Sequence, residues 1–514
     1  MSLTFNLADQ LAIVTKHYPD HLAVACEDYR CSFESFSDKI RRIAHGLSTH
    51  GVTMDSRILA LASNCHRLIE LYWAAVLLGA SVVPVEGRLT DEEISYMVMA
   101  TEPVIAVADS LSNAERLHNI VGTGRSIICF EEGGGQFLLF DDLAQSSRMD
   151  LPDGTVSPQT PALIIYTAAV EGRPKGAVIT HANLLAQYTQ TRNAVQIGPD
   201  SRHGVFLPLT HTFGAYLMFV ATCAGSANTV IGAFDAEKAA KAIGQGLVSF
   251  FATFAPMGER IQLAADRQGI DLADYLEFAT GLEVASTIER YRNVGVRYYY
   301  MYGQTEAAGM VAMGAAPTDG LVAANYSGMM LEGTRLSLRD HENQEVLPGQ
   351  AGEAWLRGDC IVEHYWPDQP TRLSESGWLR TGDILREELD GRLYFVGRTS
   401  DKDLIKPGGL NVYPAEVEHV LSQHLGVQAS FVFGDDDPLW REQVCAVVTT
   451  QSSEYLPMLE AELRELCSTK LASYKRPVRI AIHSPASTEP APRSRSEAKE
   501  YFLRLYSSQA NVEH

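Results

Sequence analysis

The stretch YTAAVEGRPKG, residues 166–176, decides how this 514-residue chain is read. It follows the apolar run Ala162, Leu163, Ile164 and Ile165, and a second apolar run at 177–179 leads into a helical pattern. A short apolar run bounded by turn formers reads as a buried strand. Gly172, Pro174 and Gly176 punctuate a turn, Thr167 adds a hydroxyl at its start, and Lys175 puts a cation on its rim. Backbone N–H groups, hydroxyls and a positive charge converging on one place suit a polyphosphate. Taken alone, the same residues also describe a hairpin turn with a surface lysine.

The segments that follow separate these readings. YGQTE stands at 302–306 after an apolar and aromatic run, GWLRTGD at 377–383, and DGRLYFVGR at 390–398. KDLIKPGGLNVYPAEVE covers 402–418 and LASYKRP covers 471–477. Together and in this order they resemble the AMP-forming adenylate synthetases, the superfamily of acyl- and aryl-CoA ligases, luciferases and peptide-synthetase adenylation domains. The resemblance extends over nearly the whole chain, and NVYPAEVE resembles acyl-CoA synthetases most.

Composition fits a soluble enzyme of two domains. At 514 residues the chain exceeds what one hydrophobic core usually supports. Its 42 Lys and Arg against 63 Asp and Glu give a net charge of −21, which argues against nucleic acid or an anionic membrane as main partner. Anionic ligands then need local cations, and Lys402, Lys406, Lys470, Lys475, Arg476 and Arg479 stand out. Eight cysteines without a CxxC pair suit reduced thiols rather than disulfides or a zinc site. The start, MSLTFNLADQ, shows no signal-peptide pattern, and a cytoplasmic location is expected. The apolar runs 72–85 and 213–227 are shorter than the ~20 residues a membrane helix needs, so they read as core and no transmembrane segment is expected.

Helical periods alternate with apolar strands at 68–85, 91–108 and 236–253, which implies parallel sheets covered on both faces. The expected fold is α/β: a large N-terminal domain, residues 1–400, of helix-covered parallel sheets, and a small mobile α+β C-terminal domain, residues 401–514. The charged stretch at 398–403 is the boundary, and in the family it is a hinge. Lys402-Asp403 stands two residues beyond the family's usual place, which leaves Asp401 and Asp403 as rival hinge residues.

The resemblance implies the chemistry. A carboxylic acid and ATP would form acyl-AMP, with loss of pyrophosphate, and the acyl group would pass to the thiol of coenzyme A. The site must screen phosphate charge and hold the attacking oxygen in line. Glu306 matches the family's Mg2+-linked carboxylate and Thr305 the hydroxyl on the α-phosphate. Tyr302 would stack near the adenine, and Gly281, Leu282, Glu283, Gly303 and Gln304 would belong to the cofactor-binding residues. Asp383 would accept from the ribose hydroxyls, and Arg398 would support the ribose or phosphates. Thr167, Gly172, Lys175 and Gly176 would belong to the phosphate loop. His211, in LPLTHTFG, would gate the passage between acid pocket and thiol tunnel, and Phe206, Phe213, Met218, Phe254 and Met301 are candidate walls of that pocket. Gly408 and Gly409 would let the pantetheine arm pass close to the backbone. A homodimer is compatible with this reading, and a carrier protein or an amine remains open as acceptor in place of coenzyme A.

Two departures stand out. The family's TSGTTG is TAAVEG here, at 167–172, which removes hydroxyls and adds the anion Glu171. Hydrogen bonds to charged groups are worth roughly 1.5–3 kcal/mol each, so ATP binding or turnover should weaken. At the C-terminus Glu497-Ala498 occupy the family's Gly-Lys positions, and Lys499, one residue further, replaces its catalytic lysine if the loop carries an insertion. A degenerate relative that binds nucleotide or acyl ligand with little turnover is the reading these departures would favour.

Overall fold

The structure is a computed structural model that describes residues 5–122, 124–133, 135–147, 156–167, 174–315, 325–367, 369–371, 373–374, 376–399, 404–450 and 456–510. Gly172, with most of the altered phosphate loop, and the hinge candidates Asp401, Lys402 and Asp403 lie outside these residues. The chain divides into two compact units. The first comprises Met1–Gly87, Ile94–Tyr166 and Gly176–Gly397; the second comprises Arg88–Glu93, Thr167–Lys175 and Arg398–His514.

Local sequence explains the elements of the first unit. Helix His66–Leu78 stops at Gly79, whose φ of 70° reverses the chain into the fully buried strand Ser81–Val85. Helix Thr212–Cys223 is apolar on every side, and all twelve of its residues are buried. A helix without a polar face has to sit inside the molecule. Among the described residues no helix is long and apolar enough to cross a membrane.

The described strands form sheets of thirteen, nine and three. In the largest, Leu22–Cys26, Ala227–Val230, Arg202–Val205, Phe250–Phe254, Phe278–Leu282 and Arg297–Gln304 run parallel as successive neighbours. Within this sheet the expectation of parallel strands describes these six. After Arg297–Gln304 the chain folds straight back through Gly309–Ala315 and Tyr326–Met330 as antiparallel neighbours. A tight turn suffices for that, whereas a parallel return needs a long crossover. The nine-stranded sheet is parallel through Ser81–Val85, Arg57–Leu61, Ile105–Ala108 and Ser126–Cys129. It also holds Pro161–Thr167 beside Lys175–Thr180. Gly176 therefore stands inside a strand, not in the turn that its sequence neighbours imply.

In the second unit, Val427–Asp437 pairs antiparallel with Arg441–Thr450, which pairs parallel with Arg479–His483. Side chains alternate between the faces of a strand. Val432, Val444 and Val448 cluster with Val417 and Leu421 of helix Pro414–Leu421 and with Leu459 and Leu463 of helix Leu456–Lys470. Phe433, Cys445 and Val447 cluster instead with Ala498 and Phe502 of helix Arg495–Ala510.

Buried histidines make folding of the first unit sensitive to acid. His203 is wholly enclosed, its Nδ1 lies 2.9 Å from Asn228 Oδ1, and burial lowers its pKa from 6.5 to about 4. The unfolded chain takes up that proton near pH 6.5 and the folded chain does not. This contribution is complete above pH 6.5 and is lost as pH falls toward 4. We predict that His203→Gln flattens the fall of the thermal midpoint between pH 6.5 and 4, measured against the unsubstituted protein.

Candidate active site

Strands Phe250–Phe254 and Phe278–Leu282 are buried along nearly their whole length, so polar chemistry emerges where they end. In open α/β sheets that carboxyl edge is the usual place for ligands. His211, Phe254, Gly281, Leu282, Glu283 and the 302–306 segment all follow or end parallel strands of one sheet. The fold thus brings together residues scattered over some hundred positions of sequence.

The 302–306 segment is the densest part of the edge. Tyr302 lies in strand Arg297–Gln304, and its hydroxyl donates to Asp383 Oδ2 at 2.8 Å in a buried contact. Asp383 belongs to strand Leu379–Glu387, and its N–H donates to Thr381 Oγ1 at 3.0 Å. The strand just before it is tied down by Glu353, which accepts the Gly382 N–H at 3.1 Å and both oxygens of which lie 2.9 Å from Arg380 Nε. Thr305 and Glu306 form the next short turn, Thr305–Ala307. The Thr212 hydroxyl donates to Thr305 Oγ1 at 3.0 Å, and the Tyr365 hydroxyl donates to Glu306 Oε1 at 2.8 Å. Two carboxylates and a hydroxyl are thereby held in fixed directions, which is what binding a polyhydroxylated, phosphorylated ligand requires.

Gly281 has a structural reason to be glycine. Its φ is 141°, and a Cβ there would stand 1.8 Å from the Thr253 carbonyl oxygen on the neighbouring strand. Glu283 is buried, and its Oε1 accepts the Gly258 N–H at 2.8 Å in the first turn of helix Met257–Gln268. A carboxylate at a helix N-terminus satisfies an orphan donor and the helix dipole. His211 caps helix Thr212–Cys223: its Nδ1 accepts the Phe213 N–H at 3.2 Å, which leaves the proton of the neutral ring on Nε2. Its ring stands edge-on to Phe254 at 6.2 Å, and Phe213 lies 5.8 Å from Phe254. Of the expected pocket walls, Phe213, Met218, Phe254 and Met301 share one core. Phe206 packs in another, against Phe251.

The second unit holds the remaining candidates. Thr167 Oγ1 donates to the Lys175 carbonyl at 3.3 Å. Arg398 donates to the Leu404 carbonyl at 2.6 Å. Gly408 and Gly409, in the turn Pro407–Gly409, take φ of 56° and 83°, a left-handed bend that a side chain disfavours. Lys499 lies in helix Arg495–Ala510 and donates to the Gly434 carbonyl at 2.7 Å. Glu497 accepts the Arg493 N–H at 2.8 Å while its own N–H donates to Ser494 Oγ at 3.2 Å. Ser494 and Glu497 have the spacing of a helix-starting capping box. That signal was present in the sequence and accounts for the unexpected Glu497-Ala498. Lys475 and Arg476, expected as local cations, are structural. Lys475 is buried 2.7 Å from Glu416, and Arg476 donates to the carbonyls of Leu471 and Ser468 at a helix end.

The chemistry of Glu306 can be tested against magnesium. Among the described residues no three His, Cys, Asp or Glu side chains form a metal cluster. Mg2+ is usually held by one or two carboxylates together with substrate phosphates, so a single oriented carboxylate fits an ion that arrives with ATP.

The AMP-binding enzyme family matches residues 11–366, and the C-terminal domain of AMP-binding enzymes matches residues 416–488. The chain belongs to the AMP-binding enzyme family, and with it to the AMP-forming adenylate synthetase superfamily. An indoleacetate–CoA ligase of Aromatoleum aromaticum is 26% identical over 473 residues, 90% of this chain and 91% of that protein. A 2-succinylbenzoate–CoA ligase of a Geobacillus species is 28% identical over 475 residues, 90% of each chain. The solved o-succinylbenzoate CoA synthetase of Bacillus subtilis shares the fold. It has a TM-score of 0.80 at 22% identity, over 96% of this chain and 98% of that one.

Sequence reading did not single out Thr212 and Tyr365, which hold Thr305 and Glu306. Neither carries a local signal, because each is defined by a partner far along the chain. We predict that Tyr302→Phe, which removes a hydroxyl donor from buried Asp383, destabilises the protein by roughly 1–3 kcal/mol. Chemical unfolding of the full chain checks this, with far-UV circular dichroism confirming that the variant folds.

Proposed function

We propose that this chain is an ATP-dependent, AMP-forming acid–CoA ligase. The observation that carries the reading is the set Tyr302, Thr305, Glu306 and Asp383, fixed by hydrogen bonds at the carboxyl edge of a sheet belonging to this family's fold. Asp383 would accept from the ribose hydroxyls and Tyr302 would hold that carboxylate in place. Thr305 would donate to the α-phosphate, and Glu306 would hold Mg2+, which when bound screens phosphate charge. His211 and Phe254 would border the acid, and Gly408-Gly409 would line the path of the thiol. The stretch 398–403 would be the hinge between two working arrangements. The relatives named above act on aryl-bearing acids, and aromatic Phe213 and Phe254 beside His211 suit a flat, apolar acid.

A panel of aryl and alkyl carboxylic acids tests this, with pyrophosphate release followed with and without coenzyme A. Release that accelerates with coenzyme A supports the ligase, and Glu306→Gln is expected to lower it on the order of a hundredfold. Release indifferent to coenzyme A points to a carrier-protein or amine acceptor. A second reading, a ligand-binding relative with little turnover, is favoured by buried Ala498 at the position of the family's lysine, and absence of release across the panel would support it.

Lys499 remains our choice for the catalytic lysine. To reach a substrate its ammonium must leave the Gly434 carbonyl, a charged hydrogen bond worth roughly 1.5–3 kcal/mol. We expect Lys499→Ala to depress acyl-AMP formation selectively. Thioester formation from preformed acyl-adenylate in single turnover should be retained. Unchanged adenylation would make Lys499 a structural residue.

A further inference from the structure

Helix His181–Val195, the first helix after the phosphate-loop segment, carries Asn183, Gln187 and Gln190. The intervals of four and three residues put all three carboxamides on one helix face. All three are buried, with Gln187 wholly enclosed. Asn183 Nδ2 donates to the carbonyls of Asp359 at 2.8 Å and Ile361 at 3.2 Å. Gln187 Nε2 donates to those of Ala307 at 2.7 Å and Met310 at 2.9 Å. Gln190 Nε2 donates to Met310 at 2.7 Å, and its Oε1 accepts the Thr334 hydroxyl at 3.0 Å.

The carbonyls so held flank one residue. Ala307 directly follows Glu306, Ala308 then takes a left-handed φ of 53°, and Met310 stands in the strand Gly309–Ala315 that follows. Ile361 precedes Val362, whose N–H donates to the Glu306 carbonyl at 2.9 Å, and Tyr365 of that segment holds the Glu306 side chain. We propose that this amide ladder positions Glu306, with Gln187 and Gln190 setting the turn that bears it and Asn183 setting the segment that clamps it. The inference rests on the reading of Glu306 given above. A carboxamide suits the task because it is uncharged and offers two N–H donors in a fixed plane, so one side chain can satisfy two buried carbonyls. A displacement of about 1 Å at a reacting centre can cost a hundredfold in rate.

A double-mutant cycle tests the ladder, with Gln187→Met and Gln190→Met each made alone and with Glu306→Gln in the full chain. The expected result is a roughly tenfold or greater loss of pyrophosphate release in each single variant, with KM for ATP changed less than kcat. That loss should vanish when Glu306 is already Gln. In protein without ATP or metal, amide hydrogen exchange of the 305–311 segment should rise while that of strand Phe250–Phe254 stays unchanged. Loss that persists undiminished in the Glu306→Gln background, or release equal to that of the unsubstituted protein in both variants, overturns the positioning role. Failure of both variants to fold also overturns it, because the ladder is then a stability element. If Glu306→Gln alone leaves release unchanged, the reading of the site fails rather than that of the ladder.

Discussion

Burial of the parallel strands on both faces dictates where this protein can do chemistry. A strand such as Phe250–Phe254, closed in at every residue, offers no solvent-facing position along its length. Burying a polar group costs free energy unless it is hydrogen-bonded. Polar side chains therefore collect at the carboxyl edge, where helices and turns supply partners. Tyr302, Thr305 and Glu306 stand there, and strand Leu379–Glu387 of the antiparallel half brings Asp383 to meet them.

Three side chains of that edge accept a hydrogen bond from a hydroxyl. A hydroxyl holds Asp383, another holds Glu306, and a third holds Thr305. The carboxamides of helix His181–Val195 extend the pattern to the backbone. Two cations of the second unit serve structure: Arg495 binds Glu418 through two contacts of 2.7 and 2.5 Å, and Lys475 pairs with Glu416.

The departures from the family's motifs look different in three dimensions. Glu497 is a helix-starting residue and Ala498 a core residue, so the C-terminal change builds a helix with a defined start. Lys499 follows on that helix and is engaged with a backbone carbonyl. A lysine held this way reaches a ligand only by exchanging one strong acceptor for another.

The chain's order of motifs determined its class, and its alternating periods determined the helix–strand stretches at 68–85, 91–108 and 236–253. Gly79 ended its helix and 213–227 became core because glycine placement and unbroken apolarity act locally. Through the family resemblance the motifs also implied Tyr302, Glu306 and Asp383. They carried no information on what holds those residues. The antiparallel half of the large sheet, the partners Thr212 and Tyr365, the place of Gly176 inside a strand and the engagement of Glu283 with a helix start were decided by tertiary structure alone. The physical reason is the range of the interactions involved. A helix cap or a strand period is written within a few residues, whereas a hydrogen bond such as that of Gln187 with Ala307 joins positions 120 residues apart and exists only once packing has removed water from both.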